Sequence, residues 1–173
     1  MVAKYSLFNF IFVFILLVSL FYLATFTPFF NSHLFNQYLS FQAYTTYLIL
    51  NLLGQDITLT NTVISTSQDF AIQIVRGCDA LEPTVLFIAA IIAFPAPLAM
   101  KLWGIVMGAL TILVLNFIRI ISLFFIGIYY PQLFDVMHLD VWQALFILLS
   151  LLLFVIWLQW VGQRLRKMHV SAT

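Results

Sequence analysis

Pro95-Ala-Pro-Leu-Ala-Met-Lys101 is a short turn between two apolar segments, 81–94 and 102–128. Counted from its centre at Leu98, Cys78 lies 20 residues back and Arg119 lies 21 residues forward. At ~1.5 Å rise per residue, two antiparallel helices leaving this turn carry both side chains to the same height. Cys78 is the only cysteine of the chain, and Arg119 is the only charge in the apolar run that follows the turn. His138, just past the next turn, brings a third reactive group to the same lip. The turn therefore sets the fold as a helical hairpin, and it makes that lip a candidate active site.

The composition fixes the solvent. Of the 173 residues, 64% are hydrophobic and only 8% are charged, whereas soluble domains carry roughly a quarter charged residues. So few charges cannot cover a globule in water, and the chain reads as an integral membrane protein whose partner is the lipid bilayer. A net charge of +1 leaves no basic stripe to neutralise phosphates, which argues against nucleic acid as a partner. The single cysteine has no internal disulfide partner, so it says nothing about redox compartment. The N-terminal apolar run from Leu7 to Ala24 is too long for a signal-peptide core and lacks its cleavage site, and it reads as an uncleaved first span.

Four stretches are expected to span, at about 7–25, 79–95, 102–128 and 139–161, with residues 26–77 forming an outer segment of a single domain, 1–173. Lys4, Lys101 and the cluster Arg164, Arg166 and Lys167 all sit near span ends. The positive-inside rule puts them in the cytoplasm, which gives both termini inside. The acidic residues check this independently, because Asp56, Asp69, Asp79, Glu82, Asp135 and Asp140 then all fall outside or at the outer lip. Residues 33–53 are apolar enough to suggest a fifth span, but Asn36, Gln37, Ser40, Gln42, Thr45, Thr46 and Asn51 interrupt them. A crossing there would break the parity downstream. An amphipathic helix in the outer interface, with Tyr38, Tyr44 and Tyr47 at headgroup level, satisfies both observations. In residues 55–75, Ile57 and Leu59 and then Phe70, Ile72 and Ile74 recur at period two. This predicts two short strands in a small extracytoplasmic β-hairpin. Such a hairpin can recognise an extended peptide by strand pairing, or it can be a connector folded on the membrane surface.

Cys78 sits in Val75-Arg-Gly-Cys-Asp-Ala-Leu-Glu82, at a loop-to-helix junction. The thiolate is the nucleophilic form, and the adjacent Arg76 and the nearby helix start both favour it, against Asp79 and Glu82. The plainer alternative is a small apolar filler. Arg119 costs at least ~2.5 kcal/mol at a bilayer centre, so such a residue usually pairs inside the protein or marks a functional path. Asn116, three residues earlier on the same face, is placed to brace the guanidinium. Otherwise Arg119 snorkels to the headgroups or pairs with Asp135 or Asp140. Arginine suits bidentate binding of a carboxylate or a developing oxyanion. His138 is a natural proton carrier for a cysteine, with Asp135 the better placed acid to orient it, although a lone histidine at an interface is also commonplace. One mismatch stands: in a straight helix to Tyr130 Arg119 lies ~15 Å below the turn, against ~6 Å for His138. A helix ending near Gly127, or an extended arginine side chain, closes most of that gap. One cysteine and one outward histidine fall short of a zinc ligand set, and no phosphate loop or hydrolase motif occurs, so no metal or cofactor is expected.

These motifs, Cys78 in RGCDALEP, Asn116-Phe-Ile-Arg119, and His138 opening the last span, resemble the exosortase/archaeosortase family of membrane transpeptidases. The stretch 75–157 is most similar to its short exosortase H subgroup. The family is identified by its Cys…Arg…His order and separations, which this chain matches. One departure is Ala80, where many relatives carry glycine. The resemblance implies a bundle of about four transmembrane helices in a bacterial cytoplasmic membrane. It also implies a cysteine peptidase or transpeptidase acting on membrane-anchored proteins with tripartite C-terminal tails: a recognition motif, a transmembrane helix and a basic cluster. Cys78 would then attack the scissile carbonyl, His138 would manage protons, and Arg119 would stabilise the oxyanion or the thiolate. Tails with an Ile-Pro-Thr-Leu-like motif are the implied substrates, docking beside Gly104, Gly108 and Ala109, with release by an amine or water. The competing reading is a non-catalytic membrane scaffold in which Arg119 is a buried docking charge.

Overall fold

The turn at 95–101 separates two helices because Phe94, held before proline, leaves helical backbone for an extended conformation at φ −78° and ψ 139°. The computed structural model describes residues 7–28, 33–67 and 70–170. Lys4 and Asp69, and the side chain of His169, lie outside the described residues. In chain order the elements are α1 (Leu7–Thr25), α2 (His33–Leu52), β1 (Ile57–Thr60), β2 (Val63–Thr66), β3 (Ala71–Gln73), α3 (Leu81–Ala93), α4 (Leu98–Tyr129), a 3-10 turn at Pro131–Leu133, a π-helical turn at Val136–Val141, and α5 (Trp142–Val170).

Among the described residues three helical stretches are long and apolar enough to cross a membrane: Leu7–Thr25, Leu98–Tyr129 and Pro131–Met168. The segment expected to span at 79–95 is helical only over the 13 residues Leu81–Ala93. At 1.5 Å per residue that is about 20 Å, short of a ~30 Å hydrocarbon core. Asp79 and Ala80 at one end, and the prolines at the other, confine it.

One stripe organises the bundle. On α4, Gly104, Gly108, Ile112, Asn116, Arg119, Leu123 and Gly127 are all buried. Their spacing of three and four residues puts them on a single helix face. The glycines admit large rings from three other parts of the chain. An added Cβ would stand 2.2 Å from Trp157 at Gly104, 2.0 Å from Phe87 at Gly108 and 2.0 Å from Phe70 at Gly127. Gly104 and Gly108 thus lie under rings from α5 and α3, and with those rings they line an apolar groove. In this half of the molecule Phe87, Ile91, Ile112, Phe146, Trp157 and Val161 form one core. Trp157 also donates Nε1–H to the Met100 carbonyl at 3.1 Å, anchoring α5 to the turn.

The outer segment has its own core, made by α2, the sheet and the upper part of α4, with Leu39, Leu50, Ile64, Ile74, Ile120 and Phe124 at its centre. The expected hairpin is a three-stranded antiparallel sheet in the order β1-β2-β3. The added strand, β2, follows a two-residue turn in which Asn61 takes φ 56°, a conformation that asparagine tolerates better than most residues. Helix α2 does not simply lie on a wet interface. It is amphipathic toward the protein, and Gln42 and Thr46, which interrupt its apolar pattern, are fully buried.

Candidate active site

Strand β3 leads directly into the Cys78 loop. The Cys78 N–H donates to the Val75 carbonyl at 3.0 Å, closing a tight turn whose third residue, Gly77, takes φ 93°, as a type II turn requires. Two residues on, Ala80 is also left-handed, at φ 55° and ψ 20°, and forms the N-cap of α3. This is the position at which the family resemblance leads one to expect glycine, and the backbone there does favour glycine. Asp79 covers the helix start by accepting the Leu81 N–H on Oδ1 at 3.1 Å, a local Asx bond typical of the residue.

The loop is held from behind by a buried polar network. Asn116 Nδ2 donates to the Cys78 carbonyl at 2.9 Å and to Gln42 Oε1 at 2.7 Å. Gln42 Nε2 and the Tyr38 hydroxyl both donate to the Asp79 carbonyl, at 3.1 and 2.9 Å. Asn116 thus braces the cysteine backbone and not the guanidinium, which corrects its expected role. Both bonds use its NH2 group, while its Oδ1, the atom that would accept from a guanidinium, has no hydrogen-bond partner. Tyr38 and Gln42 were not among the residues singled out for chemistry. Their four-residue spacing on α2 was the available signal, because it puts both on one helix face.

The depth match around Leu98 holds. Cys78, Arg119 and His138 line one cavity of about 200 Å³, together with β3. Cys78 Sγ lies 3.6 Å from His138 Nε2, and Arg119 Nη2 donates to the His138 carbonyl at 3.3 Å. Helix α4 does not end near Gly127 but continues to Tyr129. The height mismatch closes because the arginine reaches up and the chain after Tyr130 folds back through the π-helical turn. Such a turn carries an extra residue and loosens the regular ladder, and His138, whose carbonyl meets Arg119, lies within it. The guanidinium is almost wholly buried and packs 5.5 Å over the Phe146 ring. Its Nε–H has no partner in the structure, so it keeps a donor in reserve beside the thiol.

His138 is oriented by packing. Phe134, one helical turn earlier, stacks on the imidazole at 5.7 Å and 15°. Phe70 meets Phe134 edge-on at 6.2 Å and rests over Gly127. Nδ1 of His138 has no hydrogen-bond partner, so Asp135 does not hold the ring as expected. Its carboxylate acts on the ring only as a charge.

Burial pushes the Cys78 thiol above its ordinary range, and the Arg119 guanidinium is the largest opposing influence. The sequence expects Arg76 and the helix start to lower it. The cation that acts on the sulfur is Arg119, Arg76 acts on Asp79 instead, and burial outweighs both. Cys78 is a free thiol within reach of a histidine. Among the described residues no group of three His, Cys, Asp or Glu side chains gathers to hold a metal ion.

A family model described as transmembrane exosortase matches residues 5–165. The chain belongs to that family, and with its apolar helices it is a multi-pass membrane protein. No curated protein and no solved structure matches it.

Proposed function

We propose that this exosortase is a membrane-embedded cysteine peptidase or transpeptidase that cleaves C-terminal sorting tails by an acyl-enzyme on Cys78. The observation that carries the reading is the 3.6 Å approach of Cys78 Sγ to His138 Nε2 in a cavity that also contains Arg119. These residues come from three separate elements, and a thiol, a base and a spare guanidinium donor are the parts that acyl transfer needs.

The thiol proton passes to His138 Nε2 as Sγ adds to the scissile carbonyl carbon. Arg119 donates to the developing oxyanion, a contribution strengthened by its dry surroundings. Collapse of the tetrahedral adduct breaks the C–N bond, and His138 returns the proton to the leaving amine. An incoming amine or water then attacks the thioester, His138 takes its proton, and Cys78 leaves as thiol once that proton returns.

In this reading α3 and its flanks complete four crossings, with both termini in the cytoplasm of a bacterial cell and the cavity facing outward. Lys101, at the 95–101 turn that Trp157 anchors, and the Arg164–Lys167 cluster lie toward one end of the bundle, away from Cys78, which favours that orientation. The substrates are membrane proteins whose tails carry a motif such as Ile-Pro-Thr-Leu, a transmembrane helix and a basic cluster.

The test is the intact mass of tail-bearing membrane proteins in the native host, with wild type and with Cys78→Ala. Tail loss with wild type alone is expected, and the new C-terminus identifies the acceptor. Equal masses in both strains overturn the reading.

A further inference from the structure

The cavity has a wall that the acyl-transfer chemistry does not use. Ala71, Ile72, Gln73, Ile74 and Val75 all line it, beside Cys78 and His138. Side chains of an extended strand alternate between two faces, so five consecutive residues cannot all point at one cavity. The cavity must run along the edge of the strand.

The hydrogen-bond register gives the same result independently. Among the described residues β3 is the last strand of the sheet and pairs on one side only, with β2. Thr66 N–H donates to the Phe70 carbonyl and Ile74 N–H to the Thr62 carbonyl. In an antiparallel ladder, hydrogen-bonded pairs alternate with pairs whose main-chain groups point away. With Ile64 opposite Ile72 and Val63 opposite Gln73, residues 70, 72 and 74 face β2. The N–H and C=O groups of Ala71 and Gln73 face outward, toward the cavity.

Natural edge strands refuse partners with charges, prolines or bulges. Residues 70–75, Phe-Ala-Ile-Gln-Ile-Val, contain no charge and no proline. The exposed side chains are those of Ala71, Gln73 and Val75, all uncharged, while Ile74 is buried in the core. The strand ends at Gln73, five residues before Cys78, and the Val75–Cys78 turn fixes that offset. Leu123 and Phe134 on the facing walls offer apolar surface to alternate side chains of whatever pairs there.

We infer that β3 is the substrate-recognition element: an extended segment of the substrate adds to its free edge as a fourth strand, which presents the scissile carbonyl to Cys78. This rests on the acyl-transfer reading and specifies how its peptide is held. Main-chain pairing supplies affinity, and alternate side chains supply specificity. A transmembrane tail already concentrates the segment at the membrane surface, so a few main-chain bonds suffice.

The test uses the full-length protein in membranes with a reporter ending in an Ile-Pro-Thr-Leu motif, a transmembrane helix and a basic cluster. Gln73→Pro deletes one outward N–H and leaves the ladder to β2 intact. Cleavage is expected to slow by about tenfold or more, the scale of one or two lost main-chain bonds. Alkylation of Cys78 by iodoacetamide should stay near the wild-type rate, which reports an intact site. Unchanged cleavage in Gln73→Pro overturns the inference and leaves the acyl-transfer reading standing; no cleavage by wild type overturns that reading itself. A second measurement decides if the proline disturbs the site: Gln73→Cys in a Cys78→Ser background, against single cysteines along the reporter motif. Disulfides at every second motif position are expected. A period of three or four, or no crosslink, overturns strand addition.

Discussion

The two ends of the α4 stripe do different work with the same geometry. Toward the 95–101 turn, Gly104 and Gly108 are space into which Trp157 and Phe87 fit. Two turns further on, Asn116 and Arg119 occupy the same face with buried donors that hold the Cys78 loop and reach His138. A helix face buried in a bundle can be read as volume or as chemistry, and here the switch falls between Ile112 and Asn116. Below it, packing of rings over glycine decides stability. Above it, hydrogen bonds to backbone carbonyls fix the Cys78 loop, and Gly127 again seats a ring, that of Phe70.

The largest break in this contrast should come from Arg119. In the proposed mechanism Arg119→Gln removes the oxyanion donor, and cleavage of tail-bearing substrates should then fall by roughly 10²–10³-fold. The same change carries a pH signature. Burial holds the thiol above its usual value, and the guanidinium opposes that shift. Alkylation of wild-type Cys78 should therefore rise only above about pH 8.5, the ordinary thiol value. In Arg119→Gln the rise should move to still higher pH, because the cation favoured the thiolate. A shift to lower pH would contradict the assignment.

Asn116→Ala comes next. It leaves the Cys78 carbonyl and Gln42 Oε1 without their donor, at about 1–3 kcal/mol for buried groups. Thermal unfolding in detergent should show that loss, and cleavage should fall with it. Gly108→Ala is the matching test in the other half. Its new methyl collides with the Phe87 ring, an overpacking that costs about 1–3 kcal/mol. Stability should drop while the pH profile of Cys78 alkylation stays in place, which separates volume from chemistry.

Ala80→Gly should do the least. Relief of a left-handed alanine is worth ~1–2 kcal/mol. It is offset by a lost buried methyl, ~0.8 kcal/mol, and by greater freedom of the unfolded chain, ~0.4–1 kcal/mol. The net change in unfolding free energy should lie within about 1 kcal/mol of zero. A large gain would mean that Ala80 stores strain at the nucleophile.

Much of this was legible in the sequence. The turn at 95–101 and helical rise alone brought Cys78 and Arg119 to one cavity, because depth along a straight helix depends only on residue count. The bracing partners were not legible. Asn116 points at a carbonyl instead of the nearby guanidinium because Gln42 and the Cys78 loop approach it from distant parts of the chain. His138 is held by Phe134 stacking and not by Asp135, a choice between two neighbours that spacing does not make. Strand β2 was missed because its single fully buried side chain, Ile64, shows no alternation. The upward push on the Cys78 thiol was not legible because burial is a property of the assembled site.

The most direct test is to trap the acyl-enzyme. Membranes containing the wild-type protein and a tail-bearing reporter are quenched in acid during turnover, digested, and the Cys78 fragment weighed. The account predicts a thioester adduct of the new C-terminal segment on Cys78, released by hydroxylamine and absent in Cys78→Ala. Tail cleavage that persists in Cys78→Ala, with no adduct in any variant, would contradict it.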